Sequence, residues 1–192
     1  MKCWVEIHPT SIPINDIKVY DISPKPAEEF EVRLVIWDTL DIKMMDMEGT
    51  SDVYCRAFFD SREEVHETDT HYRCQNGKAS FNYRLLYKMK HPRKDYSLTV
   101  QAYDRDFFKS NDIIGDVVID LKNAFLDCSL TKRPLSINKM YYENYMKDTG
   151  LKVQFKDDKS FWVTIKGADE KTGEIVDHGK IRISVDIYPK NM

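Results

Sequence analysis

The chain has 192 residues, of which 42% are hydrophobic and 12% aromatic, and a formal net charge of −3. That length fits one domain, or one domain with extensions, and that apolar content excludes a disordered chain. The near-neutral balance gives no overall reason to bind nucleic acid.

Residues 1–29 hold four prolines and the stretch SPKP, and read as an extended arm or linker. From residue 30 the dominant signal is alternation of apolar and polar residues, the mark of half-buried strands. EVRLVIW puts Val32, Leu34 and Ile36 on one face, and DVYCRAFF does so with Val53, Cys55, Ala57 and Phe59. ETDTHYR fits a more exposed strand. FNYRLLYKM sets Phe81, Tyr83, Leu85, Tyr87 and Met89 against a polar side. YSLTVQAY alternates Leu98, Val100 and Ala102, and IIGDVVID and FWVTI are shorter strands. KIRISVDIY alternates Ile181, Ile183, Val185 and Ile187 with Arg182, Ser184, Asp186 and Tyr188. Between residues 120 and 160 the helical signal is weak: LKNAFLDC offers a turn or two, and NKMYYENYM a short helix. About eight strands in one domain (residues 30–190) imply an all-β sandwich or barrel with a long, partly helical connection.

Cys3, Cys55, Cys74 and Cys128 form neither CxxC nor a zinc pattern, so free thiols in a reducing compartment are expected. No apolar run approaches the ~20 residues of a membrane span, and MKCWVEIHPT lacks the apolar stretch of a secretory leader.

Two stretches carry chemistry. DMEGTSD sets Asp46 and Asp52 around a turn, and AYDRDFFKSNDIIG sets Asp104, Asp106 and Asp112 in a second strand-end loop. Each aspartate alone is a common turn residue. Five together repel one another unless a cation neutralises them, and an all-oxygen set without His or Cys suits Ca2+ better than Mg2+. The EF-hand loop does not fit, because aligning Gly49 puts Met44 first and Cys55 last. A DxD transferase or phosphatase would alternate strands with helices, which this chain does not. His66 and His71 are given to a surface strand, not a metal. No GxSxG or Cys/His/Asn pattern is visible, so the chain is expected to bind and not to turn over a small-molecule substrate.

DMEGTSDVY and YDRDFFKSNDIIG resemble the calcium-binding loops 1 and 3 of C2 domains. SPKPAEEFEVRLVIWDTLDI and ETDTHYRCQNGKASFNYRLLYKM resemble the C-terminal C2 domains of ferlins, with the likeness running from about residue 20 to 188. The resemblance implies an eight-stranded antiparallel Greek-key sandwich. Because HGKIRISVDIY closes the domain instead of opening it, the permuted, type II order is implied. It maps the calcium ligands onto Asp46, Asp52, Asp104, Asp106 and Asp112, with the backbone carbonyls of Met45 and Phe107 completing the shell. Met47, Phe107 and Phe108 then become membrane-inserting tips beside an acidic cup. Two bound Ca2+ would take the formal charge from −3 to +1, turning repulsion of anionic lipid into attraction. YKMKHPRK adds Arg84, Lys88, Lys90, Arg93 and Lys94, in a region that binds phosphoinositide head groups in related domains; a solvated sheet face is the plain alternative. The expected partner is an anionic phospholipid membrane (phosphatidylserine or phosphoinositide) met from the cytosolic side by a peripheral protein. The competing expectation is a protein-interaction module whose calcium site is structural or vestigial.

Overall fold

The computed structural model describes residues 5, 7–13, 17, 26–44, 49–60, 64–106 and 110–190. In chain order the strands are β1 (Glu28–Leu40), β2 (Thr50–Phe58), β3 (Val65–Glu67), β4 (His71–Gln75), β5 (Ser80–His91), β6 (Ser97–Asp104) and β7 (Asp112–Asp120). Helix α1 (Lys122–Thr131) follows. Then come β8 (Leu135–Ser136), α2 (Lys139–Tyr141), one π and one 3₁₀ turn (Tyr142–Met146 and Lys147–Thr149), β9 (Val153–Phe155), β10 (Phe161–Ala168) and β11 (Ile175–Pro189).

The alternating strands pair into the order β3-β2-β6-β7-β10-β11-β1-β5, all antiparallel. Two layers result: β5-β1-β11-β10 faces β3-β2-β6-β7, and the two join at the single pair Asp116↔Lys166. The last strand, β11, lies between β1 and β10, so the chain's end closes beside its beginning. This is the antiparallel sandwich in the permuted order that the sequence implied. Its core is made of the alternating positions: Val32, Leu34, Ile36, Ile181, Ile183 and Ile187 from one layer, and Val53, Cys55, Ala57, Leu98, Val100 and Ala102 from the other. Cys55, Cys74 and Cys128 are buried free thiols, and burial pushes the Cys128 thiol up to about 11.

Three details depart from the sequence pattern. Tyr83 falls at a register shift between β1 and β5 and stands 38% exposed, off the buried face of β5. ETDTHYR is broken into β3 and β4, because Thr68 turns inward: its amide donates to Cys55 O (2.9 Å) and its hydroxyl accepts from Cys55 N (3.0 Å). Residues 68–70 therefore bulge out of the edge of β2. LKNAFLDC forms a full helix, α1, whose Phe125 packs against Phe30, Tyr96 and Phe59 at centroid distances of 5.5, 5.1 and 6.5 Å. That plugs the end of the sandwich where Ser97 pairs with Asp120. The opposite end, where Asp104 pairs with Asp112, carries no helix among the described residues and holds the acidic side chains.

Candidate metal and membrane site

Strand register brings the aspartates together. Val53 pairs with Asp104, and Asp104 with Asp112, so Asp52, Asp104 and Asp112 sit side by side at the ends of β2, β6 and β7. Asp106 follows in the loop. Asp46, Met45, Met47, Phe107 and Phe108 lie outside the described residues.

Backbone amides hold these carboxylates. Asp52 N donates to Asp104 Oδ1 at 2.7 Å, and Arg105 N donates to Asp52 O at 2.9 Å, which locks the two strand ends to each other. A bulge supplies a third donor. Between Ser51↔Cys74 and Val53↔His71 the strand β4 carries one extra residue, and Arg73 takes a left-handed φ of 54° there. Its amide thereby points at Asp52 Oδ1, 2.7 Å away. Asp104 is only 3% exposed, an unusual place for an acid in a strand end. The negative field reaches its neighbours: burial raises the pKa of the Cys74 thiol, and the Asp52 and Asp104 carboxylates raise it further.

The loop after β6 is fixed by a side chain that the sequence pattern did not single out. Asn111 Oδ1 accepts from Asp106 N (3.1 Å), and Asn111 Nδ2 donates to the Tyr54 hydroxyl (3.0 Å). Tyr54 stacks on Tyr103 at 5.4 Å, and the Arg105 guanidinium lies 4.5 Å over Tyr54. Burial raises the Tyr54 hydroxyl's pKa. The only local sign of this role is an Asx residue directly before Asp112, a pattern as common in plain turns.

The start of the first loop is fixed by close backbone contacts. A Cβ on Gly77 would lie 2.2 Å from Ile42 N, and one on Gly179 2.7 Å from Asp41 O. Lys43 N donates to His178 O at 2.9 Å. The chain is thus clamped at Ile42 just before it enters the segment that bears Asp46.

The donor set fits a hard divalent cation: it is all oxygen, and it comes from neighbouring strand ends and the loops beside them. Among the described residues, however, no three His, Cys, Asp or Glu side chains converge closely enough to hold a metal. Asp52 and Asp104 instead spend an oxygen each on amide donors.

The basic residues lie elsewhere. Arg84, Lys88 and Lys90 stand on the exposed side of β5, opposite Val35, Glu31 and Glu29 of β1. Lys90 and Lys88 help Lys190 to hold the Glu29 carboxyl below its ordinary range. Arg93 turns back to Met89 Sδ (3.0 Å), and Lys94 is exposed beyond it. The row is therefore partly neutralised by its neighbours. No helix among the described residues is long and apolar enough to cross a membrane.

The model of the C2 domain family matches residues 30–136, more than half of the chain. The chain belongs to the C2 domain family. It is similar to myoferlin of Xenopus tropicalis, 24% identical over 97% of this chain and 11% of the myoferlin, and to ferlin 2 of Tetrahymena thermophila, 36% identical over 53% of this chain and 6% of the ferlin. The C2 chain thus spans about a tenth or less of the ferlins it matches. Among solved structures, a C2 domain of plant Extended Synaptotagmin 1 superposes with a TM-score of 0.55 at 11% identity, covering 88% of this chain and all of that one. Human GIVD cytosolic phospholipase A2 superposes with 0.52 at 9% identity, covering 88% of this chain and 17% of that one. Both likenesses concern the fold. Calcium and phospholipid binding are general properties of C2 domains.

Proposed function

We propose that this C2 domain binds anionic phospholipid membranes in a calcium-dependent way, through the end of the sandwich that carries the aspartates. The observation that carries the reading is the alignment of Asp52, Asp104 and Asp112 on three adjacent strand ends. Asp46 and Asp106 would complete the acidic set, with the carbonyls of Met45 and Phe107. Calcium supplies positive charge and open coordination for lipid phosphate. The protein's own part is to hold the carboxylates in register and to carry Met47, Phe107 and Phe108 to the bilayer surface. The basic side of β5 would add contact with head groups. In this reading residues 30–190 are the membrane-binding domain and 1–29 an arm. The protein works as a peripheral, non-catalytic module on cytosolic membrane faces.

Liposome co-sedimentation tests it. Binding is expected with calcium and phosphatidylserine together, and to vanish with chelator or in Asp104→Asn with Asp106→Asn. Binding indifferent to both changes overturns the reading. One observation favours a second reading, a protein-interaction module with a structural or vestigial site: Asp52 and Asp104 already have amide partners. In that case millimolar calcium leaves the melting temperature unchanged, since only a ligand of the native state raises it.

A further inference from the structure

The strand path runs β2-β6-β7-β10-β11 across the aspartate end. Asp52, Asp104 and Asp112 stand at the ends of the first three strands. The turn that joins β10 to β11 follows them at the same end. β10 is antiparallel to β7 at Asp116↔Lys166, so beyond Lys166 it runs toward the level of Asp112. The two strands meet there around a groove of about 390 Å³, with Ile113 and Ile114 on one wall and Ala168, Glu170 and Ile175 on the other. Lys43, from the root of the first loop, also lines this groove, and its ammonium bonds Glu170 at 3.1 Å. The turn itself is closed by four hydrogen bonds. Asp169 N donates to Glu174 O and Gly173 N to Asp169 O, both at 2.8 Å, and Asp169 Oδ1 accepts from the amides of Lys171 and Thr172, both at 2.9 Å.

Large apolar side chains are left bare at this place. Ile175 is 68% exposed, Ile113 47% and Val176 37%. We propose that the β10–β11 turn is a further membrane-contacting tip, and that Ile175 and Ile113 enter the interfacial zone of a bilayer beside the aspartate loops. The proposal rests on the calcium-dependent membrane reading and adds to it a surface that fixes how the domain leans on the lipid. Position selects the bilayer as the occupant. Ile113 directly follows Asp112, and consecutive Cα atoms lie ~3.8 Å apart. Interfacial side chains enter a layer ~5–10 Å deep. A bilayer near enough for its phosphates to reach the aspartate row therefore meets Ile113, and Ile175 across the same groove. The Lys43–Glu170 ion pair keeps the turn in step with the first loop. Charge does not add to the attraction: Lys43, Lys166 and Lys171 nearly balance Asp169, Glu170, Glu174 and Asp177. The turn thus contributes apolar contact, and selection for anionic lipid stays with the aspartate cup.

The test places an environment-sensitive nitrobenzoxadiazole label at one position at a time in the full chain. Cys55, Cys74 and Cys128 are buried, so a Cys3→Ser background leaves the introduced thiol as the reactive one. Labels go on Ile113→Cys, Ile175→Cys and, as the control, Val118→Cys, which is 52% exposed but lies further along β7, away from the aspartates. Phosphatidylcholine–phosphatidylserine vesicles are added with calcium, and co-sedimentation is measured on the same samples. The labels at 113 and 175 should shift to the blue and be quenched by a nitroxide on the lipid acyl chain, while the label at 118 keeps its aqueous emission. In Ile113→Ser with Ile175→Ser, affinity for these vesicles at saturating calcium should fall roughly tenfold, as expected for lost apolar burial. Three outcomes overturn the tip and leave the membrane reading standing: a label at 175 that stays in water on sedimented vesicles, an equal shift at 118, or parental affinity in the double serine variant. If the unlabelled parent chain fails to sediment with vesicles and calcium, the membrane reading itself falls, and the tip falls with it.

Discussion

Asn111 is where the aspartate end of the molecule depends most on one side chain. Its carboxamide accepts from the Asp106 amide and donates to the Tyr54 hydroxyl, and so joins the loop after β6 to the outer side of β2. Asn111→Ala leaves a buried hydroxyl and an amide without this partner, which costs about 1–3 kcal/mol. Asn111→Asp keeps the acceptor and loses only the donor. In urea unfolding without calcium the alanine variant should be the less stable of the two. In calorimetric titration, calcium should bind the alanine variant more weakly than the parent, since the position of Asp106 is no longer enforced, whereas the aspartate variant keeps the acceptor for the Asp106 amide and should not lose affinity in the same way. A calcium affinity equal to the parent's in the alanine variant would show that Asp106 is placed by something else.

At the scale of elements, the seam between the layers is set by glycine. A Cβ on Gly115 would lie 2.7 Å from Lys166 O, and one on Gly167 would lie 2.5 Å from Ile114 O and 2.3 Å from His178 Nδ1. His178, 5% exposed, shares a 2.5 Å hydrogen bond with Ile114 O across the same seam. β7 and β10 can therefore touch only because both positions lack a side chain. Gly115→Ala should cost about 1–3 kcal/mol through overpacking, seen as a lower midpoint in thermal melts. An unchanged midpoint would mean that the seam opens without cost. Neither glycine stood out in the sequence, because IIGDVVID reads as a strand with or without it. The long strands were legible from alternation alone, since one face of each is buried along most of its length. β8 and β9, of two and three residues, were not, because their pairing to β11 and β10 is imposed by the fold around them. The site divides the same way. The order of the aspartates was legible, but their amide partners were not, because Arg73 reaches Asp52 only through a bulge that no spacing announces.

For the molecule as a whole, five carboxylates distributed around the sandwich link its stability to pH. Glu28 is held low by the Lys132 ammonium and then the Ser129 hydroxyl, which tie the start of β1 to α1. Glu29 is lowered by Lys190 at the far end of β11. Asp95 is lowered by the Ser97 hydroxyl and amide, Asp157 by the Ser160 hydroxyl and amide, and Asp169 by the Thr172 and Lys171 amides. A carboxyl whose pKa is lower in the folded than in the unfolded chain binds fewer protons when folded. Its stabilising effect is complete above the unfolded value, near 3.8 for Asp and 4.5 for Glu, and is lost as the pH falls through the folded value. The thermal midpoint should therefore be nearly flat from about pH 7 to about pH 5, then fall increasingly below about pH 4.5. Asp157→Asn keeps an oxygen acceptor but cannot titrate. Its midpoint should start lower near neutrality and fall less steeply in acid, so that the two curves approach each other. Parallel curves would show that Asp157 takes no part, and a parent midpoint unchanged down to about pH 3 would show that these five contacts persist in the unfolded chain or do not form in the folded one.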